Sequence, residues 1–268
     1  MSEVMQDTEV VQRTVEDGVA LLTLNRPDRL NAWTVEMEHA YFGMLEDCAS
    51  SPDVRVIIVT GAGRGFCAGA DMQDLQALGE GAVDVGAHAA ERRPQTFPLS
   101  IPKPIIAAIN GACAGIGLVQ ALMCDLRFAA GGAKITTAFA RRGLVAEHGI
   151  SWLLPRLVGH ERALDLLLSG RVVLAEEART LGLVNRVVAP EQLLEEALGY
   201  AHQLASSCSP ASMASMKRQV YADLQRDLPQ ALEEADRLML ESFTGSDFVE
   251  GVTSFLERRD PRFAPLGS

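Results

Sequence analysis

Two stretches of the chain share one design: a run of apolar, largely β-branched residues, then small residues, then the start of a helix. The first is VIIVTGAGRGFCAGAD, residues 56–71, and the second is PIIAAINGACAGIGLVQALMCD, residues 104–125. Backbone N–H groups at the first turn of a helix have no intrahelical acceptor and carry partial positive charge. The design puts Ala68 at the head of one helix and Ile116 at the head of the other. Two such N–H groups aimed at one point form an oxyanion hole, which stabilises an enolate or a tetrahedral oxyanion. Spacing alone leaves a second reading open: tight turns in which glycine supplies unusual backbone angles where strand and helix pack closely. A phosphate loop fits poorly, because the chain has no G-x-x-x-x-G-K-[ST] run.

These loops need strands and helices to hold them. VVQRTVEDGVALLTLNRP, residues 10–27, reads as a hairpin turning at Asp17-Gly18. Thr34 reads as an N-cap, and Met37, Tyr41, Met44, Leu45 and Cys48 follow at helical spacing. Val54 to Thr60 and Ile105 to Ile109 are continuous apolar runs, the pattern of strands buried on both faces. Residues 79–100 lack periodicity and predict a mobile loop with a short helix. From Ser151 onward the pattern is helical to Arg259. The sum is a layered α/β core followed by helices.

Composition narrows the function classes. The chain has 268 residues, with 24 Lys+Arg against 35 Asp+Glu, a net charge of −11. Such a field does not attract nucleic acid phosphates or anionic lipid, so neither is an expected partner. The five cysteines are scattered with no C-x-x-C pair, which argues against a disulfide framework and against a zinc site; no metal is expected. The apolar stretch from Pro104 to Cys124 holds Asn110, Gln120 and several glycines, which does not suit a membrane span. The acidic start MSEVMQDTEV has no apolar core, so the expected location is cytoplasmic.

Read together, LLTLNRPDRLNA (21–32), residues 56–71, PKPIIAAINGACAGIGLVQALMCDLRFAA (102–130), RRGL (141–144), LPRLVG (154–159), LSGRVVLAEEARTLGLVNRVV (168–188) and EGVTSFLERRDPRF (250–263) carry a resemblance. Over nearly its whole length the chain resembles the enoyl-CoA hydratase/isomerase (crotonase) family. The resemblance implies a spiral of β-β-α repeats over residues 1–195 and a helical trimerisation region over 196–268, assembled as a homotrimer or a dimer of trimers. It implies an acyl-CoA thioester as substrate, with coenzyme A arriving as part of the substrate and no permanently bound cofactor. It assigns the two oxyanion N–H groups to Ala68 and Ile116. Ala68, Gly69, Ala70, Asp71 and Gly115 would line the ligand path, and Arg29, Leu30 and Asn31 would border the CoA phosphates.

The chain departs from the hydratase pattern at the two glutamates that activate water. The first position lies six residues before Asp125 and is Val119; the second lies fourteen after it and is Phe139. Neither side chain moves a proton. The resemblance points instead to Glu147, eight residues after Phe139, where relatives that shift double bonds carry an acidic group. Without it, Glu147 reads as a surface or capping residue before the next helix. His148 is its neighbour and a candidate partner or second base, with an unperturbed pKa near 6.5. His88, Glu91 and Arg92 lie in the stretch that would pass over the acyl pocket. Arg141 and Arg142 read as phosphate contacts or surface ion pairs, Cys67 and Cys113 as small buried groups, and Leu232, Leu238 and Met239 as subunit packing. The leading expectation is double-bond isomerisation through a thioester enolate, with Glu147 moving the proton. The alternatives are hydration or thioester hydrolysis using Glu147 and His148, and a non-catalytic acyl-CoA binding trimer. Val119 and Phe139 make the pocket apolar, which suits a hydrophobic acyl group.

Overall fold

The computed structural model describes residues 10–80 and 92–267. The Asp17-Gly18 turn joins β1 (Val11–Glu16) to β2 (Val19–Leu24) in an antiparallel pair. A 3-10 turn at Pro27–Arg29 leads into α1 (Val35–Ser50), where the Thr34 hydroxyl accepts the Met37 N–H at 3.2 Å. The far end of α1 is closed by a buried cation. Lys103 Nζ donates to the carbonyls of Cys48 and Ser51, each at 2.6 Å, which satisfies acceptors that a helix end leaves open.

The chain then repeats one unit: a strand in a long sheet, a short strand in a second sheet, and a helix. The repeats are β3 (Val56–Gly61), β4 (Gly65–Cys67) and α2 (Met72–Gly79), then β5 (Ile105–Ile109), β6 (Ala112–Ala114) and α3 (Ile116–Met123). β7 (Leu126–Ala130) and β8 (Lys134–Thr136) follow, with α4 (Ile150–Val158) and α5 (His160–Ser169) behind them. β9 (Val173–Leu174), α6 (Ala175–Leu181) and β10 (Arg186–Val188) complete the two sheets. The long sheet has the order β1-β2-β3-β5-β7-β10 and is parallel from β2 onward; the short one has the order β4-β6-β8-β9. This is the α/β spiral of β-β-α repeats.

Both faces of the long sheet are covered, which accounts for its continuous apolar strands. Ile57, Val59, Ile105, Ala107 and Ile109 face the main core with α1 and α3, while Val56, Ile58, Ile106, Ala108 and Phe128 face α7 (Leu193–Ser207). α7 meets the sheet through Leu193, Ala197, Ala201 and Ala205, whose small size lets the helix approach closely. The boundary expected at residue 195 lies within α7. α8 (Pro210–Asp223), α9 (Leu228–Ser242) and α10 (Ser246–Glu257) end the chain. Asp125 ties α8 to the core: it accepts Lys217 Nζ at 2.7 Å, Tyr221 Oη at 3.0 Å and the Ile105 N–H at 2.7 Å.

Part of the stretch expected to be a mobile loop, including His88 and Glu91, lies outside the described residues. Residues 92–100 contain a 3-10 turn, Phe97–Ser100, and Gln95 is buried. Among the described residues no helix is long and apolar enough to cross a membrane.

Candidate active site

The two glycine-rich loops lie side by side because β4 and β6 pair in parallel, Cys67 opposite Cys113. Two asparagines lace the first loop together. Asn31 Nδ2 donates to the carbonyls of Ala62 at 3.0 Å and Gly65 at 2.7 Å, and Asn110 Nδ2 donates to those of Gly61 and Gly63, both at 2.9 Å. The loops touch at Gly69 (φ +110°) and Gly115 (φ +51°). A Cβ on Gly69 would stand 3.3 Å from the Ala114 carbonyl oxygen, and one on Gly115 would stand 3.9 Å from Gly69 Cα. Both residues hold backbone angles that side-chain-bearing residues rarely adopt.

Each of these glycines is followed by an unoccupied amide. Gly115 is the N-cap of α3, and the Ile116 N–H has no acceptor among the described residues. On the other loop the structure differs locally from the expected helix start. Ala68 does not head a helix, since α2 starts at Met72, and its N–H donates to the Leu30 carbonyl at 3.0 Å. An amide already engaged in the fold does not serve as an oxyanion donor. The open group is two residues on, at Ala70. Ala70 and Trp33 form a parallel bridge in which Trp33 N–H donates to Gly69 O at 2.8 Å and Asp71 N–H donates to Trp33 O at 3.0 Å. That pattern engages the neighbours of Ala70 and leaves its own N–H without an acceptor among the described residues.

Asp71, expected to line the ligand path, is committed to the fold. Oδ1 accepts the Gln73 N–H at 3.0 Å, capping α2, and Oδ2 accepts Arg26 Nη2 at 2.9 Å. The Gln73 amide, with Arg26 behind it, holds this carboxyl below its ordinary pKa. Leu30 and Asn31 both have positive φ, +50° and +57°. Leu30 uses its carbonyl on Ala68 and its side chain against Gly65. Arg29 is exposed, and its charge bears on the Asp71 carboxyl.

Val119 lies in α3, one turn beyond Ile116, and is fully buried; Phe139 is buried ahead of the turn at Ala140–Arg142. Glu147 and His148 precede α4, which packs against α3. Their side chains face each other, Oε2 to Nε2 at 3.6 Å, with 32% and 37% of each exposed. His148 has φ +56°, and desolvation outweighs the pull of Glu147, so its pKa falls below the ordinary histidine value. A cavity of about 390 Å³ opens beside this turn, lined among others by Leu99, Met123, Gly149, Trp152, Leu153 and Tyr221. Arg141 donates to the Ser169 carbonyl at 3.0 Å and makes no ion pair among the described residues. Cys67 and Cys113 are buried, and burial pushes the Cys67 thiol up to about 12. Among the described residues no three His, Cys, Asp or Glu side chains are grouped to hold a metal ion.

Sequence reasoning missed a buried polar cluster next to the first amide. Glu38 is fully buried on the inward face of α1 and accepts Trp33 Nε1 at 3.2 Å, Arg92 Nε at 2.7 Å, and further bonds from Arg92 Nη2 and Gln95 Nε2. Gln120 Nε2, on α3, donates to Gln95 Oε1 at 2.7 Å. A carboxylate on the apolar stripe of an amphipathic helix was the available signal.

The chain is a spiral of β-β-α repeats whose glycine loops touch, each followed by an open amide, and comparison with known proteins places it in a family. Residues 14–265 match the model of the enoyl-CoA hydratase/isomerase family, and the chain belongs to that family. It is 38% identical to the 1,2-epoxyphenylacetyl-CoA isomerase of Escherichia coli K12, over 95% of this chain and 98% of the relative. The crystal structure of an enoyl-CoA hydratase from Mycobacterium marinum is 52% identical, with a TM-score of 0.70 over 82% of this chain and 100% of that one. That of an enoyl-CoA hydratase from Polaromonas sp. JS666 is 32% identical, with a TM-score of 0.87 over 94% of this chain and 99% of that one.

Proposed function

We propose that the chain moves a double bond in an acyl-CoA by proton transfer through a thioester enolate. The Ala70 and Ile116 N–H groups hold the thioester oxygen and stabilise its negative charge when a proton leaves the acyl chain. Glu147 takes that proton and returns it at another carbon of the conjugated system, so no water is added and no group is lost. His148 stands against Glu147 and orients it. Arg29 meets the CoA phosphates, and the apolar cavity beside Gly149 receives a hydrophobic acyl group. The observation that carries the reading is the pair of open amides at touching glycines, with apolar side chains at positions 119 and 139 where a water-adding enzyme needs carboxylates. A relative named as an isomerase of an acyl-CoA, 1,2-epoxyphenylacetyl-CoA, supports isomerisation of an acyl-CoA over addition of water.

The test is incubation with 2-enoyl-CoA and with 3-enoyl-CoA in deuterated water. Deuterium on the acyl chain together with interconversion of the two supports isomerisation. A mass increase by water supports the second reading, hydration with Glu147 and His148, which the hydratases among the related structures favour. Binding of the thioester with neither change points to a non-catalytic acyl-CoA protein.

A further inference from the structure

We propose that Glu38 is a positioning residue for this site, joining the two amide-bearing segments through one continuous chain of hydrogen bonds. The inference rests on the thioester reading above. The chain starts at Trp33, whose main chain brackets Ala70 through Gly69 O and Asp71 N–H. The Trp33 indole donates to Glu38, Gln95 donates to the same carboxylate, and Gln120 donates to Gln95. Gln120 lies on α3, the helix that opens with Ile116. Each link is held at a buried residue: Trp33, Glu38, Gln95 and Gln120 are all at or below 6% exposure. The carboxylate also fixes Arg92, and the charges of Arg92 and Glu38 both bear on the His148 imidazole. Glu38 thus links the first amide, the helix of the second and the histidine beside the proposed base.

Stability alone does not account for it. A buried carboxylate–guanidinium pair seldom outperforms apolar side chains of the same volume, because desolvation offsets the attraction. What the chain of hydrogen bonds through Glu38 does supply is a fixed distance between the Ala70 segment and α3. An oxyanion hole is sensitive to that distance, and a misplacement of about 1 Å from a remote change costs about a hundred-fold in rate.

The experiment uses 4-dimethylaminocinnamoyl-CoA, whose absorption moves to longer wavelength when its thioester carbonyl is polarised. Wild-type protein is expected to bind it and shift it. Glu38→Gln is expected to bind it within about threefold of wild type, with a reduced shift and kcat for isomerisation lower by about ten- to a hundred-fold. Gln120→Leu cuts the chain without stranding a charge, and Gln120 Oε1 already lacks a donor among the described residues. It is expected to change both readouts in the same direction by less, and it decides the matter if Glu38→Gln does not fold. A variant that melts earlier but keeps the full shift and kcat per folded molecule overturns the inference and leaves Glu38 a structural residue. Wild-type protein that neither binds nor shifts the probe overturns the thioester reading itself, before any variant is compared.

Discussion

Glu147 and His148 are the residues on which the proposed chemistry turns, and they share a short turn ahead of α4. Glu147→Gln keeps size and removes the base. The rate of deuterium incorporation is expected to fall by about a hundred-fold to ten-thousand-fold, while the affinity for the thioester changes little. Loss of affinity with an unchanged rate would assign Glu147 to binding instead. His148 titrates with a depressed pKa, so the folded chain binds its proton less readily than the unfolded chain does. Stability is therefore expected to decline as pH falls through the ordinary histidine value near 6.5 toward the lower folded value. His148→Asn, a residue that tolerates positive φ, is expected to flatten that part of a melting-temperature profile between pH 7 and pH 5. The same scale shows where a sequence stops speaking. The sequence reading expects the donor at Ala68, while the open amide is at Ala70, because a strand's hydrogen-bonding phase is set by its partner, here Trp33, and leaves no mark in the residue types. Glu38 did leave one, a charge among Met37, Tyr41 and Leu45 on α1.

Elements were the most legible level. The Asp17-Gly18 turn, the Thr34 cap and the two apolar runs gave the hairpin, α1, β3 and β5, since each depends on local chemistry that the residues state outright. The partner of α7 was not legible, because a stripe of alanines, Ala197, Ala201 and Ala205, names none; only the sheet shows why small residues stand there. How tightly the elements fit is visible at Gly117 in α3. A Cβ there would lie 2.3 Å from the Cys67 carbonyl oxygen, so Gly117→Ala must push α3 away from β4. The expected cost is about 1–3 kcal/mol of stability, read by denaturant titration. A drop in turnover is expected with it, since Ile116 moves with its helix; an unchanged midpoint and rate would show that α3 has slack. Thr34→Ala is expected to cost about 1 kcal/mol through loss of the α1 cap, without altering the rate per folded molecule.

At the scale of the whole molecule, α9 and α10 present Leu228, Leu232, Leu240, Val249, Phe255 and Leu256 outward, with Phe255 82% exposed. A folded chain seldom leaves so many large apolar side chains in water, and a covering by further copies of itself, as in the trimer that the family resemblance implies, suits them. Sedimentation of the wild type is expected to give a multiple of 28.8 kDa, and Phe255→Glu with Leu240→Glu to reduce it; a monomer in both cases would remove the trimer. In the proposed function the grip on the acyl oxygen is made of peptide groups, the open amides of Ala70 and Ile116, rather than of side chains. A peptide amide is the same whatever residue carries it, so substitutions in the surrounding walls, such as a carboxylate at 119 or 139, would leave that grip in place. One scaffold can in this way change trades by a few substitutions, and a chain's reaction is better read from its walls than from its ancestry.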